Sequence, residues 1–361
     1  MSKVLTGLLM VLALYFSMPG QASMEQVPEV NFQDGQLEHA IKQLLHKDDN
    51  EAVTQKEMES LTDVSFIGQG IKSLEGLQYA KNVSQLHLDD NEITDIGPLR
   101  TLTRLTGLYL SGNRISDLRA LEGLTRLRSL YAGSNQIKEL TPLKSLTNLI
   151  VLDIPSNLVY DLGPLKSLHY LSYLNLYNNR VWNLDPIRNL SFDKYYDTGA
   201  LIYTLQLDHN YLDLRSTAKT YHILNKLNGE AYHRNQLKAQ RLVIGSTTAY
   251  VWESAYKLTY APFIASDRTY VPVRFVSKWL GSEVSWDQSN KEVTIRKGST
   301  TIRMIVNQKQ AYVNGHKVSI DAPLLLKNNS TFVPVRFVSN LLDSSVEYML
   351  NPRTVLIFEK K

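Results

Sequence analysis

The chain has 361 residues, 43% apolar and 20% charged, an ordinary globular composition long enough for two domains at about 150 residues each. Its net charge of +4 is unevenly spread, −4 over residues 24–240 and +7 over residues 241–361, so the two parts are expected to meet different partners. The absence of cysteine excludes disulfide scaffolds, thiolate metal sites and cysteine nucleophiles together.

The N-terminus reads as a secretory signal. Lys3 precedes a mostly apolar run from Val4 to Phe16, which Met18-Pro19-Gly20 breaks before the small residue Ala22. A signal peptide over residues 1–22, cleaved after Ala22, is the expectation. The run is shorter than the roughly 20 apolar residues that span a bilayer, and no later segment would, so the mature chain is expected to have no transmembrane segment.

A helical cap follows over residues 23–60. Between Asn31 and Leu45 the apolar residues Leu37, Ala40, Ile41, Leu44 and Leu45 share one helical face. Thr54 with Glu57 three residues on is a capping box opening a second helix.

Residues 61–240 then repeat with a period of 22: Asn91, Asn113, Asn135, Asn157 and Asn179 are evenly spaced. Segments starting at Leu61, Val83, Leu105, Leu127, Leu149 and Leu171 carry apolar residues at offsets 0, 3, 5, 10, 13 and 16. A seventh unit holds Leu205, Leu207 and Asn210 after an irregular stretch. The pattern L-x-x-L-x-L-x-x-N is the leucine-rich repeat signature: leucines point inward, a short strand carries offsets 3 to 5, and each Asn bonds the backbone of neighbouring coils. Pro98, Pro142, Pro164 and Pro186 suit the start of a tight helical turn on the convex side. Asp95, Asp117, Glu139 and Asp161, three residues earlier, read as turn formers and not as a metal ladder.

Residues 241–361 carry a different repeat. Val271-Pro272-Val273-Arg274-Phe275-Val276-Ser277 recurs 62 residues later as Val333-Pro334-Val335-Arg336-Phe337-Val338-Ser339. Pro272 is expected to open a helix that Gly281 stops, followed by a hairpin from Glu283 to Arg296; Asp343 stands where Gly281 stood. The fold class is thus an α/β leucine-rich repeat solenoid of 22-residue coils with a helical N-terminal cap, followed by a small α+β domain built of two similar halves.

The helical cap, the phrase from Ile71 to Tyr79 and the repeats N-x-I-x-D-[IL]-x-P-L resemble bacterial internalin-type leucine-rich repeat proteins over about residues 30–214. Residues 241–361 resemble the stalk-type N-terminal domain of copper amine oxidases. The first resemblance implies extracellular recognition on the concave strand surface and no catalysis. The second implies display or tethering without a cofactor, because copper and the tyrosine-derived cofactor belong to a separate catalytic domain and this chain has no His-x-His. Arg274 and Arg336 are read as structural, holding helix to sheet.

In a strand of the form L-x-x-L-x-L, offsets 2, 4 and 6 point away from the core and line the concave face. Offset 4 gives His87, Tyr109, Tyr131, Asp153, Asn175 and, in the last coil, Gln206; Tyr173 comes from offset 2, and Asp89, Tyr177 and Asp208 from offset 6. These ten residues are the candidate ligand-binding site, because tyrosines are favoured where large area is buried with a polar handle kept. Common catalytic and ligand motifs, G-x-S-x-G, H-E-x-x-H, the P-loop and the EF-hand loop, do not occur, so no catalytic residue and no metal is assigned. Nucleic acid is disfavoured as a partner by the acidic repeats and the lack of a dense basic run.

The function expected from the sequence is a secreted or surface-retained protein whose concave face binds an extracellular protein or glycan, with the C-terminal domain as stalk. The alternative is a structural envelope component held on anionic cell-wall polymers by its basic C-terminal domain. An enzyme with an unrecognised site is the third reading.

Overall fold

The computed structural model describes residues 28–192, 195–197, 200–202, 204–227, 235–350 and 352–360. The expected signal peptide lies outside the described residues.

The first helix runs Gly35–Leu44, with Asp34 accepting from the backbone N–H groups of Gln36 and Leu37 at its start. The other carboxylate oxygen of Asp34 accepts from Lys72 and Ser73 of the first coil, so one side chain both caps the helix and fastens it to the solenoid. Leu37, Ala40 and Ile41 are buried as the periodicity predicts, but Leu44 is exposed. Lys42, on the next face, is buried instead, its ammonium held by Asp49 O and Glu38. Thr54 and Glu57 form the predicted capping box on Gln55–Met58.

Each coil contributes one three-residue strand: Asp63–Ser65, Gln85–His87, Gly107–Tyr109, Ser129–Tyr131, Val151–Asp153 and Tyr173–Asn175. These and Leu205–Gln206 make a seven-stranded parallel sheet in chain order. Pairing joins equivalent residues of consecutive coils, for example Leu86↔Leu108↔Leu130↔Leu152↔Leu174. Convex turns are 3-10 helices; Pro98, Pro142, Pro164 and Pro186 sit at their first or second positions, where a missing N–H costs nothing. One continuous core runs from Leu37 to Leu227.

The asparagines form the predicted ladder. Each side-chain oxygen accepts from a backbone N–H of the preceding coil, as Asn135 from Ile115 and Asn157 from Ile137, and each amide donates to carbonyls of its own and the preceding coil. Asp95, Asp117 and Asp161 accept from the N–H two residues on, which makes them turn formers, and Glu139 accepts from the Tyr160 hydroxyl. The repeat pattern alone did not reveal that the residue before each Asn has positive φ: Asp90, Gly112, Ser134, Ser156, Asn178 and His209, between 53° and 71°, as has Gly68 before Gln69 in the first coil. That left-handed residue turns the chain from the strand into the flank. At Gly112 an added Cβ would lie 2.2 Å from Asp90 Oδ1, so a side chain there would have to displace that carboxylate.

The C-terminal domain is two copies of one unit related by a pseudo-twofold. Arg268–Pro272 pairs antiparallel with Ser330–Pro334 at the centre, Val271 opposite Val333. The hairpin Glu283–Asp287 and Glu292–Lys297 of the first unit joins the first three strands of the second in one five-stranded sheet, and the converse pairing makes the other. Neither unit can close its sheets alone. The helices are Val273–Trp279 and Val335–Leu341; Pro272 is the N-cap residue and ends a strand, one position before the expected helix start. Gly281 and Asp343 both have positive φ, which explains why aspartate can replace the glycine stop.

The two domains are packed together. Phe358 is fully buried against Tyr211 of the last coil, with ring centroids 4.7 Å apart, and the Tyr211 hydroxyl donates to Glu359 O at 2.6 Å. Burial pushes the Tyr211 hydroxyl up to about 12. Glu347 bonds both Arg180 and Lys138 of the solenoid, at 2.5 and 3.0 Å. Arg241 lies over the rings of Trp182 and Tyr250, 4.8 and 3.9 Å from their centroids. Glu253 accepts from the first backbone N–H groups of the helix Lys219–Lys226, supplying from the second domain the cap which that helix lacks.

Candidate functional site

Because the solenoid strands pair in register, offset 4 becomes one straight column across the concave sheet: Ser65, His87, Tyr109, Tyr131, Asp153, Asn175 and Gln206. At its centre three rings stack. The His87 and Tyr109 centroids are 3.9 Å apart with planes 10° from parallel, and those of Tyr109 and Tyr131 are 4.8 Å apart at 5°. Strand spacing of roughly 4.8 Å imposes this geometry, since flat side chains on adjacent in-register residues can fill it only face to face. The ring faces are spent on one another. What the ladder offers outward is a row of ring edges.

Asp153 continues the column beyond Tyr131. Its Oδ1 is buried without a hydrogen-bond partner, and burial raises its carboxyl above the usual carboxylate range, against the opposing effect of a hydrogen bond from Asn175. Asn175 itself is mostly buried and accepts from the Tyr177 N–H, so its role is to shape the turn and support Asp153. The folded chain therefore holds the Asp153 proton more tightly than the unfolded chain, whose value is near 3.8. The cost of ionising it is absent below that pH and fully felt once pH rises through the folded value. Asp153→Asn is thus expected to stabilise the solenoid at neutral pH, with the gain shrinking as pH falls toward 4. Urea titrations of both proteins at several pH values read this directly, and an unchanged or reversed difference would refute it.

The remaining candidates flank this column. Tyr173 lies beside it on the same strand as Asn175, and Val151 is its partner on the adjoining strand. Tyr177 is exposed and packs against His209, 5.0 Å between ring centroids, at the end of the sheet. His209 escaped sequence reasoning because it occupies the left-handed position before Asn210, where neighbouring coils carry Gly, Ser or Asn. Asp89 is half spent on structure, accepting from the Ser111 N–H of the next coil. Gln206 and Asp208 are partly exposed at the last coil. The ten predicted residues therefore form a central column, His87 to Asp153 with Asp89 beside it, and a cluster around Tyr177 that begins in the next coil.

Among the described residues, no three histidine or carboxylate groups gather as a metal site would need. No described helix is long and apolar enough to cross a membrane.

Comparison with known proteins adds the following. The leucine-rich repeat family model matches residues 81–123 and 103–145. The copper amine oxidase N-terminal domain model matches residues 225–357, beginning earlier than residue 241. Internalin H of Listeria monocytogenes is 40% identical over 75 residues, 20% of this chain and 14% of its own length, so the chain spans about a seventh of that curated relative. The solved structure of internalin C2 from Listeria monocytogenes is 31% identical over 56% of this chain and 92% of its own, with a TM-score of 0.42. That of internalin F from the same species is 25% identical over 59% and 79%, with a TM-score of 0.37.

Proposed function

From the premise that this chain is an internalin-like leucine-rich repeat protein with a copper amine oxidase N-terminal domain behind the repeats, we propose that it is an extracellular recognition protein. Its concave face binds a protein ligand, and its C-terminal domain holds that face away from the cell surface; its task is binding and not catalysis.

The observation carrying this reading is the stacked ladder of His87, Tyr109 and Tyr131 leading to the unsatisfied carboxylate oxygen of Asp153. Sugar recognition by aromatics uses open ring faces, and here both faces of Tyr109 and one face each of His87 and Tyr131 are covered. Ring edges suit the peptide groups and small side chains of a protein surface instead. Stacking also fixes the rotamers before binding, so little side-chain entropy is lost in the complex.

Full-length protein immobilised on a resin is expected to retain a reproducible set of proteins from surface extracts. Tyr109→Ala with Tyr131→Ala should weaken that binding by about 2 kcal/mol or more, roughly thirtyfold, while the circular dichroism spectrum stays that of the parent. Arg119→Ala on the convex side is the control. Retention lost in the control and kept in the tyrosine variant would overturn the concave-face assignment.

A further inference from the structure

The C-terminal domain contains a cleft of about 630 Å³, within the size range of ligand pockets. It opens between the helix Val273–Trp279, the hairpin after it and the strand end at Leu326 to Thr331 of the second unit. Lys257, Arg274, Lys278 and Lys291 line it, together with Phe275 and Trp286, and none of its 18 lining residues is a carboxylate. All four cations are exposed, and none is ion-paired to a described carboxylate. Arg274, read from the sequence as structural, is exposed and lines the cleft, on a helix anchored in the core by Val273 and Val276.

The domain's own symmetry supplies the comparison. Sixty-two residues on, Arg336 lies over the Tyr348 ring at 5.1 Å, in the place of Arg274 and Trp286. Arg268, the counterpart of the lining residue Ser330, is ion-paired to Asp321, which stands in the loop equivalent to Thr259 and Tyr260. Ser319 and Asn340 replace Lys257 and Lys278. The second unit thus keeps Arg336 and Arg353 in the places of Arg274 and Lys291 but lacks the other two cations, and Arg268 is there paired with Asp321, although one fold builds both. Packing needs the same apolar residues in each; the first unit gathers four cations and no carboxylate in one cleft, as an anionic ligand would require.

We propose that this cleft is a binding site for an anionic glycan-like polymer, a hydroxylated chain bearing a negative group at regular intervals. Arg274, Lys278, Lys257 and Lys291 take successive anions through charge-assisted hydrogen bonds. Trp286 and Phe275, with ring faces not stacked on each other, take the apolar side of a sugar or polyol unit. Cell-wall polyol phosphates and uronic acid glycans share this chemistry. The proposal is independent of the concave-face reading, since the solenoid contributes no residue to the cleft.

The test is calorimetric titration of the full-length protein at 0.15 M salt with three probes: a polyglycerol phosphate chain, a polygalacturonate chain and neutral dextran. Binding to at least one anionic chain, and none to dextran, is expected; which anionic chain is preferred identifies the source. Arg274→Ala with Lys278→Ala should weaken it about tenfold or more without altering the melting temperature, since both side chains are exposed. Lys309→Ala with Lys317→Ala removes the same charge outside the cleft and should leave affinity within about twofold, the change that loss of distant, screened charge brings. Binding to neither anionic chain, or equal losses in the two double variants, would overturn the site, the latter by assigning the attraction to net charge.

Discussion

Asn157→Ala is expected to destabilise the solenoid by about 2 to 3 kcal/mol, more than deletion of a surface amide. The side chain is 5% exposed, accepts from the Ile137 N–H at 2.9 Å and donates to the carbonyls of Ala132 and Ile154 at 2.9 and 3.3 Å. Alanine leaves the buried Ile137 N–H without its acceptor, at a cost of about 1 to 3 kcal/mol, and takes one of two donors from the Ala132 and Ile154 carbonyls, which keep Asn135 and Asn179. Because coils contact only their neighbours, the loss should uncouple the coils on either side and broaden the transition. Urea unfolding followed by circular dichroism would show a lowered midpoint and a smaller slope. A variant within about 1 kcal/mol of the parent would mean that the ladder is not what joins the coils.

Phe358→Ala should separate the unfolding of the two domains. The ring is fully buried between Tyr211 and the C-terminal sheet, and the Arg180 guanidinium lies 5.7 Å from its centroid. Removing a buried phenyl costs about 3 to 5 kcal/mol, here taken largely from the contact between domains. Calorimetry of the parent is expected to show one transition and that of the variant two. Phe332→Ala, a cavity of the same size inside the C-terminal domain, is the comparison, and it should lower that domain without splitting the transition. One shared transition in Phe358→Ala would mean that Glu347 with Arg180 and Lys138 suffices to couple the domains.

That packing alters the picture of a stalk. A linker-borne stalk would let the concave face swing freely. Here Glu253 caps a helix of the solenoid's end, and Glu347 reaches two of its coils, so the C-terminal domain fixes the direction in which the ladder faces.

A 22-residue period read from asparagines and leucines was enough to determine the solenoid, its inward residues and the concave column, because in a parallel in-register stack sequence spacing translates directly into position, and the capping box at Thr54 was legible from its local Thr-x-x-Glu pattern. The same holds for the two halves of the C-terminal domain, whose motif recurs without interruption. Spacing could not decide what side chains do to one another across coils. Whether Tyr109 and Tyr131 would stack or splay, whether Asn175 would face a ligand or turn inward, and whether Asp153 would keep a hydrogen-bond partner depend on rotamers set by neighbours 22 residues away. Arg274 and Arg336 are identical in motif, yet one opens onto a cleft and the other lies on a tyrosine, because the residues around them, far apart in the chain, differ in charge and size. Local pattern fixes the backbone where contacts are periodic; the chemistry of a surface is settled by non-local neighbours, which only the tertiary structure brings together.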